Sequence, residues 1–167
     1  MKMHGWRIAL AAAGAVLLAQ GAQAQAQQAA PRLELSHFMS AYSVADIEAV
    51  TAFYVDVLDF EVVKDVPLGD EMHFRWLKHG NQGIELVQMA GSVAGPERGT
   101  PPAHLMTRGP GQLMLQVADL EATKAALAAR GVTPDIDITE IAPLGIKVMF
   151  VYDPEGNPIE IAQVMGG

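Results

Sequence analysis

Two glutamates stand where carboxylates are expensive. Glu85 lies between Ile84 and Leu86, and Glu160 between Ile159 and Ile161. A carboxylate among aliphatic neighbours has to be paired, metal-bound or turned into a wet cavity. The chemistry on offer is that of an acid–base group or of an oxygen ligand to a divalent cation. The structural alternative is an ion pair with an arginine such as Arg75 or Arg108. Histidine adds imidazole at His37, His73, His79 and His104. His73 neighbours Phe74 and Trp76 and is a candidate for substrate contact or proton shuttling. His79 precedes Gly80-Asn81, which reads as a turn. His104 falls in the Gly- and Pro-rich segment from Ala90 to Gly111, expected to cross the surface or fold over a cavity as a lid. The chain has no cysteine, which excludes disulfides, thiolate metal sites and cysteine nucleophiles together.

The elements that must position these groups are legible as a repeat. Val44-Ala45-Asp46-Ile47-Glu48-Ala49 returns as Val117-Ala118-Asp119-Leu120-Glu121-Ala122, and Ile84-Glu85-Leu86-Val87-Gln88-Met89 returns as Ile159-Glu160-Ile161-Ala162-Gln163-Val164. The two glutamates are therefore equivalent positions of one duplicated unit. Each unit reads as a strand (38 to 44; 113 to 117), an Asp at the helix start, a helix (46 to 58; 119 to 130) and two or three further strands. Ile47, Val50, Phe53, Tyr54, Val57 and Leu58 fall at helical spacing and predict a buried stripe. Gly131 closes the second helix. Strand alternation puts Leu113, Leu115 and Val117 on the helix side and Gln112, Met114 and Gln116 on the other. In the first unit Phe38, Ser40, Tyr42 and Val44 face the helix, while His37, Met39, Ala41 and Ser43 line the opposite side.

Length and charge set the frame. The chain has 167 residues and a formal charge of −8, and Lys2 and Arg7 are the only charged groups in its first 24 residues, so the remainder is more acidic still. Such a body repels phosphate backbones and anionic headgroups, which argues against nucleic-acid and membrane-surface partners. Lys2, Arg7, the apolar run Ile8 to Ala19 and the small residues Gly21 to Ala24 have the pattern of a secretory signal peptide, cleaved after Ala24 or Ala26. The run is too short to span a bilayer. Residues 1–24 are thus expected as a signal peptide and 25–34 as a flexible leader. One domain follows at 35–165, with module one at 35–89, a linker at 90–111 and module two at 112–165. A periplasmic location follows from the leader.

The βαβββ repeat, the run Val-Ala-Asp-Ile-Glu-Ala-Val-Thr-Ala-Phe-Tyr-Val-Asp-Val-Leu-Asp-Phe at 44–60, and Asp153-Pro154-Glu155-Gly156-Asn157-Pro158-Ile159-Glu160 resemble the vicinal oxygen chelate superfamily. That superfamily includes glyoxalase I, extradiol dioxygenases, methylmalonyl-CoA epimerase, and fosfomycin- and bleomycin-resistance proteins. The resemblance spans Leu35 to Val164. It implies an α+β fold of two tandem βαβββ modules, forming a curved mixed sheet with helices on the convex side. It also implies a divalent metal that chelates neighbouring oxygens of a substrate. Metal-bearing members place one ligand on the first strand of each module, seven residues before the helix-opening Asp, and a glutamate on each last strand. The glutamates match Glu85 and Glu160, and the first-strand place of module two matches Gln112. In module one that place is Met39, a poor ligand for a hard cation. His37 points to the same side two residues earlier and enters the set if a bulge shifts the register.

The implied ligands are therefore His37, Glu85, Gln112 and Glu160, around Mn²⁺, Ni²⁺, Co²⁺, Fe²⁺ or Zn²⁺, which this set does not distinguish. Glu160 or Glu85 is the base. Met39, His73, Trp76, Met114 and Gln116 are the candidate substrate contacts. Three readings stay open. One is a secreted metal-dependent lyase or isomerase of the glyoxalase-like kind, acting on a small molecule with adjacent oxygens. Another is a metal-free module that binds and sequesters a small ligand, like the bleomycin-resistance proteins, and Met39 favours it. The third is a dioxygenase-like enzyme, for which Gln112 stands where a histidine is needed. An oxidising exterior makes a glutathione adduct an awkward substrate. Members of the superfamily often pair modules between chains, so a homodimer is also implied.

Overall fold

The structure, a computed structural model, describes residues 38–166. The expected signal peptide, the leader and His37 lie outside the described residues. The first unit runs β1 (Phe38–Val44), α1 (Ile47–Asp56), β2 (Glu61–Leu68), β3 (Met72–His79) and β4 (Gln82–Met89). A single 3₁₀ turn (Ala103–Met106) interrupts the linker. The second unit runs β5 (Leu113–Gln116), α2 (Leu120–Ala129), β6 (Ile136–Ile141), β7 (Ile146–Tyr152) and β8 (Pro158–Val164). Among the described residues no helix is long and apolar enough to cross a membrane.

Both helices begin the same way. Asp46 accepts the Glu48 and Ala49 N–H groups, at 3.0 Å each, and Asp119 accepts that of Ala122 at 2.9 Å. The next free donors go to a glutamine from each module's last strand: Ile47 N–H to Gln88 at 2.8 Å, and Leu120 N–H to Gln163 at 2.9 Å. The repeated motif thus ties helix start to last strand in both modules and satisfies amides that have no partner within the helix. Each helix is shorter than the periodicity predicts because Asp46 and Asp119 stand outside as caps, and Val57 and Arg130 terminate the ends.

Each module folds as a four-stranded mixed sheet, in the orders β1-β4-β3-β2 and β5-β8-β7-β6. The first and last strands of a module are parallel neighbours, and the remaining pairs are antiparallel. This topology decides what lies beside each glutamate. Glu85 sits between Ala41 and Trp76, and Glu160 between Met114 and Phe150. Val44, Ile47, Val50, Tyr54, Leu77, Ile84 and Leu86 of module one bury into the same core as Leu120, Leu127, Met149, Val151, Ile159 and Ile161 of module two. The expected helical stripe lies in it, with Phe53, Val57 and Leu58 packed at its margin. Each aliphatic side chain removed from water contributes about 1.5–3 kcal/mol. Polar ties also cross between modules. Glu155 accepts the Ala45 and Asp46 N–H groups (2.7 and 3.1 Å), and Arg130 donates to Val57 O (2.5 Å) and Asp59 (2.9 Å).

Candidate metal and ligand site

Period-two alternation sends Ile159 and Ile161 into the shared core, and therefore sends Glu160 and Ala162 to the other face of the module-two sheet. There Val148, Phe150 and Ala162 form a small second cluster. Glu160 is buried in that setting, only 8% exposed. Gln112, the residue just before β5, directs its side-chain N–H onto Glu160 Oε2, and its Oε1 meets Nε2 of His104. His104 arrives on the 3₁₀ turn of the linker, whose backbone closes through His104 N–H to Thr100 O and Leu105 N–H to Pro102 O. Its ring is 1% exposed and stands edge-on to Phe150, with centroids 6.2 Å apart. The second ring nitrogen, Nδ1, is buried without a partner. An imidazole nitrogen, an amide and a carboxylate are therefore in consecutive contact on one face.

Burial raises the Glu160 carboxyl above its ordinary value, opposed by the Gln112 hydrogen bond and by the proximity of His104. Among the described residues no Lys or Arg stands at ion-pair distance from it. The arginine pairs weighed as alternatives are not formed. Arg75 is committed to Glu48 (2.8 Å) and Asp65 (2.9 Å) on the helix side of module one, with Thr51 at 3.0 Å.

Module one arranges its equivalent face differently. Trp76 Nε1–H donates to Glu85 at 2.6 Å, and Lys64 Nζ lies 4.2 Å from the centroid of the Trp76 ring. Met39 lies across Gly83 of β4, so closely that a Cβ on Gly83 would stand 2.6 Å from Met39 Cγ. Met114 and Gln116 are exposed and line a cleft of about 750 Å³, shared with Phe60, His79 and Gln82 of module one. His73 takes a different place from the one its neighbours suggest. Residues 73, 75 and 77 share the helix side, so His73 meets Asp65 (2.5 Å) beside Arg75, on the opposite face from Trp76 and Glu85.

Of the expected ligands, the described structure brings together Gln112 and Glu160, and leaves Glu85 with Trp76. No three His, Asp or Glu side chains converge at metal-binding distance among the described residues. His104 is the site residue that spacing did not assign, since nothing in an aperiodic linker signals where it folds back.

A family model described as the Glyoxalase/Bleomycin resistance protein/Dioxygenase superfamily matches residues 34–161. This chain belongs to that superfamily. Solved structures share its fold. The structure of SMU.1112c is 28% identical, covers 78% of this chain and 99% of its own, and has a TM-score of 0.64. The glyoxalase family protein from Enterococcus faecalis is 26% identical over 77% of this chain and 96% of its own, at 0.60. The trypanothione-dependent glyoxalase I of Leishmania major, 18% identical over 78% of this chain and 87% of its own at 0.57, shows the same fold alone. No curated protein matches the chain.

The metal implied for the superfamily can be tested against these side chains. Among the described residues the module-one half offers only the thioether of Met39 at the first-strand place. The module-two face fits. It holds nitrogen and oxygen donors in mutual contact and a buried carboxylate that lacks a cationic partner.

Proposed function

We propose that this chain is an exported, metal-dependent enzyme of the glyoxalase-like kind that moves a proton on a small molecule with adjacent oxygens, with Glu160 as the base. The observation that carries this reading is the burial of Glu160, which raises its proton affinity while Gln112 fixes its orientation. Glu160 and Gln112 would help hold a divalent ion, which when bound polarises substrate oxygens and stabilises the charge that develops on proton loss. Gln112 holds the carboxylate through its side-chain N–H, and Phe150 is its neighbour across the strands. Glu85 is the weaker choice of base because it is only half-buried, where Glu160 is buried. Met114, exposed and paired across the strands with Glu160, is the candidate for substrate contact beside it. Export rests on Lys2, Arg7 and the apolar run that follows them. Two copies paired as a homodimer would cover strand edges that the fold leaves open.

A metal-free ligand-binding role is the second reading. It is favoured by Met39 at the place where the resemblance implies a ligand. One experiment separates the two. The protein, expressed with its leader and recovered beginning at Gln25 or Gln27, is purified without chelator and assayed for metal. It is then incubated in deuterated water with hydroxy-carbonyl and diketone compounds, and exchange of the carbon-bound proton is followed by NMR. The expected result is bound metal and exchange that falls by about 100-fold or more in Glu160→Gln. Metal-free protein that binds such compounds but exchanges nothing, after incubation with each of the five ions, overturns the enzyme reading in favour of the second.

A further inference from the structure

We propose that His104, carried by the linker between the modules, fills the ligand place that Met39 cannot, so that the metal site is built from His104, Gln112 and Glu160 within module two. This inference rests on the metal-dependent reading above and names the donor that reading lacks.

Three independent observations converge on it. The first is contact: Nε2 of His104 meets Oε1 of Gln112, and the same amide meets Oε2 of Glu160. One nitrogen and two oxygens are the donor chemistry that Mn²⁺, Fe²⁺, Co²⁺, Ni²⁺ and Zn²⁺ accept, and three protein ligands with open positions are the usual complement of a catalytic ion. The second is charge. Glu160 is 8% exposed, and among the described residues no Lys or Arg pairs with it, so a bound cation would supply the compensation. The third is the engineering of the linker. The ring is 1% exposed although it belongs to a connection between modules, and the edge of Phe150 holds its orientation. Ligating imidazoles are commonly oriented by a hydrogen bond at the second nitrogen. His104 Nδ1 is buried without such a partner, and the Phe150 ring is the group packed against the imidazole. Module one, meanwhile, has its first-strand residue folded over Gly83 and its glutamate bonded to an indole. The two halves of the repeat have diverged, one toward a metal and one away from it.

The test uses mature full-length protein and the metals alone. Cu²⁺-loaded wild type should show imidazole nitrogen coupling by electron paramagnetic resonance, and Co²⁺ titration should give an affinity that falls by about 10–100-fold in His104→Ala, with loss of the nitrogen coupling. Glu85→Gln and His37→Ala should leave both signals in place. Should His104→Ala fail to fold, ¹⁵N-histidine spectra of wild type with Zn²⁺ read the same question, the His104 Nε2 resonance being the one that moves. Retained coupling and affinity in His104→Ala, or their loss in His37→Ala or Glu85→Gln, overturns the assignment while the metal-dependent reading survives on the other ligand set. Wild type that takes up no ion overturns both.

Discussion

Arg75 shows how one residue organises a module. Its buried guanidinium reaches two carboxylates and a hydroxyl on two elements, Glu48 and Thr51 of α1 and Asp65 of β2. Hydrogen bonds from Arg75 hold both the Glu48 and the Asp65 carboxyl below their ordinary values. A carboxyl whose value is lowered on folding contributes stability above its unfolded value and loses it as pH falls through the folded one. The network should therefore stabilise the protein at neutral pH and lose that contribution progressively as pH falls below about 4. Both carboxylates are largely solvated, so screening keeps their share small. Arg75→Met is expected to cost about 1–2 kcal/mol at pH 7, and to flatten the acid limb of the stability curve. Urea unfolding at pH 7, 4 and 3 checks this; parallel curves for the two proteins would show that the network carries no pH dependence. His73 belongs to this residue-scale story too. Its identity suggested substrate chemistry, but its parity along β3 makes it a partner of Asp65.

Elements were readable in proportion to how local their causes are. β1 occupies 38–44 as the alternation predicts, and both helices start at the aspartates that the repeated motif marks. Those signals reside in a few consecutive residues. The glutamines at 88 and 163 were visible as part of the repeat, yet their role as acceptors for the first helical amides depends on a strand some forty residues away. At the site, Gln112 was reached by counting back from Asp119 and Glu160 as the glutamate of the repeated last strand, and the fold puts the two side chains in contact. His104 could not be reached that way. A 3₁₀ turn in a Gly- and Pro-rich connection has no period, and its burial comes from Phe150 and Gln112 rather than from its own neighbours. The helix starts can be tested directly. Asp119→Ala removes the acceptor of the Ala122 amide and should destabilise the protein by about 1 kcal/mol, measured as a shift of the denaturation midpoint with unchanged slope. Asp119→Asn, which keeps the acceptor, should recover most of it.

At the scale of the whole molecule, the decisive fact is that one core serves both modules. Ile47, Tyr54 and Leu86 share a cluster with Leu120, Met149 and Ile161, and neither half can keep that surface dry alone. The described domain should therefore unfold in a single transition, with calorimetric and van't Hoff enthalpies equal. Two resolved transitions would show that the modules are independent. The ties through Arg130 and Glu155 reinforce this unity from opposite directions, because each comes from module two and ends at one end of α1 in module one.

The parallel pairing of β1 with β4, and of β5 with β8, has a further consequence. A module whose opening and closing strands lie side by side enters and leaves at the same edge, so tandem copying needs only a connection and leaves the path of that connection free. Closing a longer loop adds entropy only as the logarithm of its length. The stretch between the copies is thus the part of the duplicated fold under the weakest architectural obligation. In this chain that freedom has been used to carry an imidazole down onto one copy, and the symmetry of the repeat ends there.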